Sequence, residues 1–240
     1  MLRRIDAGSF KMQGTTTTIL SKSFYLGVFE MTEKQWSLVT GDSLGDGYYQ
    51  NGAQVKPDTM PRICTYDQVR GSANGSKWPS SSAVDDSSFL GKLRARTKNN
   101  FDMPTEAQWE YACRAGTTTT YYWGNSLDGA YCWYNGNSPW PATQVVRSPV
   151  GKKKANAWGL YDMSGNAFEA CLDWYGTLSY GTDPKGPASG TKRVRRGGCW
   201  YSGDTAHGYS KDELTSSERR DTFPDTANGE TGFRLCLTIE

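Results

Sequence analysis

The sequence predicts a single α+β domain, loop-rich, with few helices and short antiparallel strands. Three observations predict it. The 240 residues are within reach of one core, and no linker or internal repeat divides them. Aromatic residues make up 13% of the chain while all hydrophobic residues together reach only 36%, so large rings must supply much of the buried area. Glycine occurs 27 times, and polar stretches separate the few periodic ones, which is the pattern of a chain that turns often.

The elements follow in order. Gly8-Ser9-Phe10-Lys11-Met12 alternates as a strand, a threonine run connects, and Phe24 to Glu30 reads as a second strand. Thr32 and Gln35 form a capping box that opens a helix, with Trp36 and Leu38 as its expected core contacts. Residues 40–60 and 71–87 are rich in Gly, Ser, Asp and Asn and read as long loops. Between them Tyr66 to Arg70 reads as a short helix, and Ser87 or Ser88 caps the helix that carries Phe89, Leu90 and Leu93. A further helix runs from Thr105 to Ala115, opened by a Thr105–Gln108 capping box, favoured by Glu106 at the positive end of its dipole and closed by Gly116.

Periodicity fades beyond that helix. Tyr121-Tyr122-Trp123 and Tyr131-Cys132-Trp133-Tyr134 read as aromatic strands or packed loops, and Leu160 through Trp174 as an aromatic core with turns. Residues 193–201 and 232–239 read as strands. Residues 202–231 between them are polar and without period, and so long a loop inside a compact domain is functional or disordered.

Composition excludes several function classes. The net charge of +2, with no dense basic stripe, gives no footprint for nucleic acid. The run Lys152-Lys153-Lys154 reads as a solvated loop. No stretch is apolar enough to span a bilayer, and Met1 to Asp6 lacks the apolar core of a secretion signal. The six cysteines, Cys64, Cys113, Cys132, Cys171, Cys199 and Cys236, contain no C-x-x-C pair, and His207 is the one histidine, so a Cys/His metal cage is not expected. Each cysteine has apolar or aromatic neighbours, so buried free thiols are expected. Any imidazole base must be His207, which has no nucleophile motif such as G-x-S-x-G beside it.

Six segments stand out for their order along the chain. They are Gly8-Ser9-Phe10-Lys11-Met12; Glu30-Met31-Thr32 with Gln35-Trp36; Met103 through Ala112; Asn156 through Asn166; Arg196-Gly197-Gly198-Cys199-Trp200; and Gly232-Phe233-Arg234-Leu235. Together they resemble the formylglycine-generating-enzyme (sulfatase-modifying) family over almost the whole chain. The resemblance implies the C-type lectin-like fold of that family, here as one domain over residues 1–240.

Enzymes of that family resemble a template in which Arg-Gly-Gly-Ser-aromatic is followed by two cysteines, whose thiolates carry the chemistry. Laid on Arg196 to Trp200, the template puts Ser202 and His207 at the two cysteine positions and Cys199 at its serine. The resemblance therefore implies a binding protein and not an enzyme. The alternative is an oxidoreductase or sulfatase-maturation enzyme of the family with an atypical site at Cys199.

A structural calcium site of the family resembles acid/amide-x-x-Gly-x-small-x-Glu, which falls here on Asp162, Gly165, Ala167 and Glu169, residues able to offer hard oxygen donors. The family's other calcium site falls near Tyr131–Val150, where the loop reads as shortened, and it is not carried over. Non-catalytic members of the fold include variable proteins of diversity-generating retroelements, which this chain resembles through Arg196-Gly197-Gly198-Cys199-Trp200, Pro224-Asp225 and Gly232-Phe233-Arg234-Leu235. That places a ligand-binding segment within 199–231, with Tyr201, Ser202, Gly203, Asp204, Thr205, His207, Asp221, Thr222, Phe223, Asp225, Thr226 and Asn228 as its contact residues. Each is reachable from an asparagine AAC codon through changes at adenine, whereas Glu230 is not. Aromatic rings among small polar side chains also form the mixture of an antibody paratope. The expected partner is a protein or cell-surface ligand, met by a monomer that is at a bacterial surface or secreted; a cytoplasmic location is the alternative.

Overall fold

The computed structural model describes residues 1–44, 48–50, 53–55, 57–138 and 147–239. Four α-helices and twelve short strands are found among them. The strands are β1 (Leu2–Ile5), β2 (Gly8–Met12), β3 (Thr16–Leu20), β4 (Phe24–Gly27), β5 (Tyr48–Gln50), β6 (Ala53–Val55), β7 (Phe168–Trp174), β8 (Gly181–Thr182), β9 (Arg193–Arg196), β10 (Arg220–Thr222), β11 (Thr231–Gly232) and β12 (Cys236–Thr238). The helices are α1 (Glu33–Thr40), α2 (Tyr66–Arg70), α3 (Phe89–Thr97) and α4 (Glu106–Arg114).

All four helices begin where sequence places them. Thr32, Thr65 and Thr105 close capping boxes with Gln35, Gln68 and Gln108, and Ser88 accepts the Gly91 N–H to start α3. Trp36 is buried, but Leu38 is 65% exposed, because it lies on the solvent side of α1.

The strands are less legible. The threonine run belongs to β3, paired antiparallel with β2 from Gly8↔Leu20 to Met12↔Thr16. The expected strand over 193–201 ends at Arg196, because Gly197 and Gly198 take φ of 91° and 74° and turn the chain out of the sheet. The expected strand over 232–239 is two pieces in different sheets. Part of the 40–60 region pairs as the β5–β6 hairpin, a segment expected to be loop.

The sheet that positions the site has the order β10-β9-β7-β11. Its middle strand, β7, lies in the stretch expected to be turns around an aromatic core. Six of its seven residues are buried, including Glu169 and Asp173, so the alternation that marks a half-buried strand is missing. β9 pairs with it antiparallel (Glu169↔Arg196), and β11 pairs with it parallel (Thr231↔Phe168). Parallel pairing also joins β3 to β8, so the sheets are mixed and not antiparallel throughout.

Two hydrophobic clusters hold the sheets and helices together. One surrounds Trp109 of α4 with Ile5, Leu26, Leu160, Met163 and Val194. The other centres on Trp36, stacked on Phe89 with centroids 4.7 Å apart, and Phe233 meets both rings edge-on. Arginines complete the core: Arg70, Arg193, Arg196 and Arg234 are fully buried. Each is compensated. Arg196 reaches Glu110 at 2.6 Å, Arg70 reaches Asp102 at 3.0 Å, and the Arg193 guanidinium stacks on the Trp174 ring while donating to the Leu172 carbonyl. All six cysteines are buried and unbridged, as expected.

Candidate ligand-binding surface

The site grows from the end of β9. Gly197 and Gly198 release the chain, Cys199 and Trp200 turn back onto Phe168 at the start of β7, and residues 201–209 form a loop over that corner. β10 then returns along β9, and residues 223–230 cross back to β11 on the far edge of the same sheet. Two loops thus leave and re-enter one four-stranded sheet.

The first segment is an aromatic patch. The Tyr201 ring lies 4.8 Å from Trp200, 5.4 Å from His207 and 5.2 Å from Tyr209, centroid to centroid. Its hydroxyl is 2.8 Å from His207 Nδ1, which also lies 3.0 Å from Asp204 Oδ2. Asp204 accepts the Ala206 N–H and so starts the short 3₁₀ turn Thr205–His207. Thr205 and His207 are exposed at its tip.

The second segment is joined to the first through side chains. Tyr209 donates its hydroxyl to Glu230 Oε1, and Glu230 Oε2 pairs with Arg195 at 3.1 Å. Arg195 also donates to Thr231 Oγ1, and Asn228 Nδ2 donates to both Thr231 Oγ1 and Thr222 Oγ1. Burial and the hydrogen bond to Glu230 push the Tyr209 phenol up. Beyond Thr222, Phe223 is 50% exposed with the Lys192 ammonium 4.8 Å from its centroid, and Lys192 pairs with Asp221 at 2.7 Å. Asp225 and Thr226 are exposed at the turn that follows.

Of the expected contact residues, Tyr201, Gly203, Thr205, His207, Asp221, Phe223, Asp225, Thr226 and Asn228 are exposed or half-exposed. Ser202, Asp204 and Thr222 are not, at 0%, 9% and 9% exposure, and they are corrected to supports of the surface. Ser202 shows the reason. Its hydroxyl donates to Glu213 Oε2 at 2.7 Å and accepts the Cys199 N–H at 2.9 Å, which ties the loop root to the turn Lys211–Leu214. Arg195, Tyr209 and Glu230 are the supports that sequence reasoning left out of the site. The failure of Glu230 to fit the asparagine-codon pattern was the available signal: it is an internal strut between Tyr209 and Arg195.

No thiolate faces this surface. Cys199 is fully buried, with its Sγ 3.9 Å from the Ser202 hydroxyl, and burial pushes its thiol up to about 12. At neutral pH it is a packed thiol with negligible nucleophilic character.

The residues expected to hold calcium lie at the start of β7 and in the segment that leads into it. Asp162 takes φ of 54°, its Oδ2 accepts the Gly151 N–H at 2.7 Å and its buried Oδ1 has no hydrogen-bond partner, so it could serve a cation. Glu169 does not fit that role. Arg234, fully buried, donates to both of its oxygens and also to the Gly27 and Tyr161 carbonyls, while Trp109 Nε1 adds a bond of 2.7 Å. Glu30 stands nearby, its carboxylate held by the Ala167 N–H and Asn166 Nδ2. Gly165 and Ala167 donate their N–H groups to the Gly197 carbonyl and to Glu30. The Glu169 carboxylate is thus engaged by an internal cation, so Glu169 does not fit the expected role of a calcium ligand. Among the described residues no group of three or more His, Cys, Asp or Glu side chains is arranged to hold a metal ion. The region of the second family site, Tyr131–Val150, lies partly outside the described residues.

A family model for the sulfatase-modifying factor enzyme 1-like domain matches residues 3–239. The chain belongs to this family. Among relatives of this sulfatase-modifying-factor-like domain, a serine/threonine-protein kinase pkn1 of Chlamydia caviae is 31% identical over 236 residues, covering 92% of this chain and 34% of the kinase. The formylglycine-generating enzyme of Streptomyces coelicolor is 34% identical over 145 residues, covering 55% of this chain and 45% of that enzyme. The chain thus spans about a third and under half of these two relatives. Among solved structures, Treponema denticola variable protein 1 superposes with a TM-score of 0.75 at 24% identity, over 99% of this chain and 95% of that one. The likeness fixes the fold: the expected C-type lectin-like α+β architecture with few helices and several short strands. Among the described residues no helix is long and apolar enough to cross a membrane.

Proposed function

We propose that this domain is a non-catalytic ligand-binding module whose contact surface is made by the tips of two loops, with Tyr201, Thr205, His207, Phe223, Asp225 and Thr226 facing the ligand. The observation that carries the reading is the hydrogen-bonded chain Tyr209–Glu230–Arg195–Thr231–Asn228–Thr222, which braces the two loops against one sheet. Loop tips on a rigid base lose little conformational entropy when they bind, and their side chains can change without disturbing the base. Exposed small polar groups around aromatic rings suit a protein or cell-surface ligand.

The fold-level likeness to Treponema denticola variable protein 1 supports a variable protein of this kind. We propose further that it acts as a monomer at a bacterial surface. The alternative of an oxidoreductase at Cys199 is favoured by the family match and by the identity to formylglycine-generating enzymes, and is opposed by the burial of that thiol with its pKa raised.

Two experiments test the reading. Incubating the chain with a sulfatase-derived cysteine peptide and copper, read by mass spectrometry, is expected to give no aldehyde; aldehyde formation overturns the non-catalytic assignment. Screening the chain on arrays of bacterial surface proteins and glycans is expected to give binders lost in the His207→Ala/Phe223→Ala variant. Binders that are all indifferent to that variant overturn the surface assignment. A reverse transcriptase gene and an asparagine-rich copy of the 193–237 coding region beside this gene would mark the segment as diversified.

A further inference from the structure

A second opening lies at the other end of β7. A cavity of about 440 Å³ opens where β3, α4 and β12 meet the segment 183–185. Leu172 of β7 lines it, four residues and roughly 13 Å along the strand from Phe168 under the aromatic patch. The two openings are therefore separate, and none of the proposed loop-tip contact residues lines this one.

Its walls divide by chemistry. Leu20, Trp78, Met103 and Leu172 give it an apolar interior, and its volume is in the range of small-molecule sites. Lys22 and Lys185 stand exposed at its rim, the Lys185 ammonium 5.6 Å from the centroid of the Trp78 ring. The two carboxylates on the lining are already engaged. Asp102 is held by Arg70 at 3.0 Å, by Arg94 at 2.9 Å and by the Met103 N–H. Asp183 accepts both the N–H and the hydroxyl of Ser21. Neither lysine forms an ion pair among the described residues. The Thr238 hydroxyl accepts from Gln108 Nε2 and keeps its own proton free to donate. Asp102 is matched by two arginines, and Asp183 keeps its charge beside two lysines, so the mouth of this apolar pocket has a net positive charge whose potential is focused by low-dielectric walls.

The geometry points to a binding site for a small organic anion, a carboxylate on an apolar or aromatic body, with the body against Trp78 and Leu172 and the carboxylate between Lys22 and Lys185. This site is independent of the loop-tip surface.

The test uses the whole chain and three probes of equal apolar body: phenylbutyrate, phenylbutanol and phenylbutylamine, titrated by ligand-observed NMR. Phenylbutyrate is expected to bind at least about tenfold more tightly than the alcohol or the amine. The Lys22→Glu/Lys185→Glu variant, altered only at exposed positions, is expected to lose that preference with unchanged thermal stability. His207→Ala/Phe223→Ala is expected to leave phenylbutyrate binding intact, which separates this site from the loop-tip reading. Equal affinity for the three probes, no binding of any, or a preference that survives the lysine reversal overturns the proposal.

Discussion

The Ser202 hydroxyl donates to Glu213 Oε2 at 2.7 Å with neither side chain more than 3% exposed, and the same oxygen accepts the Cys199 N–H. One small side chain thus roots the loop that carries Tyr201, Thr205 and His207. Ser202→Ala would leave a buried carboxylate oxygen and a buried N–H without their partner, at a cost of about 1–3 kcal/mol. Thr205→Ala, at the exposed tip, is expected within about 0.5 kcal/mol of the wild type. Chemical denaturation of the two variants checks the contrast, and equal stabilities would refute the rooting role.

The thiols make a second prediction. All six are buried, and burial pushes Cys64, Cys113, Cys132 and Cys199 up to about 12. Ellman's reagent is expected to find no rapidly reacting thiol in the native protein and all six after denaturation. One fast native thiol, mapped to Cys199, would revive the enzymatic alternative.

Calcium is expected to leave the melting temperature unchanged relative to a chelator, because Arg234 engages both oxygens of Glu169. Arg234→Met would leave Glu169, Glu30 and Asp162 without their buried cation, and is expected to cost about 3–5 kcal/mol. A rise of several degrees with calcium in the wild type would show that a metal joins the cluster.

Asp173 sets a pH dependence. Burial first, and then the neighbouring Glu106, raise its folded pKa to about 7 from an ordinary value near 3.8. Below pH 4 the carboxyl is protonated folded or unfolded and there is no penalty. Above pH 7 it is ionised in both states and the folded state bears the full penalty. Its contribution to stability is therefore lost as pH rises from about 4 to about 7. Asp173→Asn can still accept the Glu106 N–H, which Asp173 Oδ2 takes at 2.8 Å, but does not ionise. The variant is expected to gain on the wild type steadily across that window in urea denaturation. A constant difference from pH 4 to pH 8 would contradict the assignment.

What the sequence determined was local, or lay in the order of its motifs. Capping boxes at Thr32 and Thr105 and the cap at Ser88 position helices through bonds made within three or four residues, so they are readable without the fold. Motif order identified the family. Tertiary structure decided what local pattern does not encode. β7 lacks a strand's alternation because Glu169 and Asp173 are buried among its apolar residues, Glu169 on Arg234 and Asp173 on the Glu106 N–H, and Ser202, Asp204 and Thr222 face inward although their residue types suit contacts. Glu169 suits a metal in type and spacing, and only the fold shows that Arg234, 65 residues later, engages both of its oxygens. A side chain's partner at such a distance depends on how the chain folds back, and burial decides whether a polar residue meets a ligand or holds the surface that does.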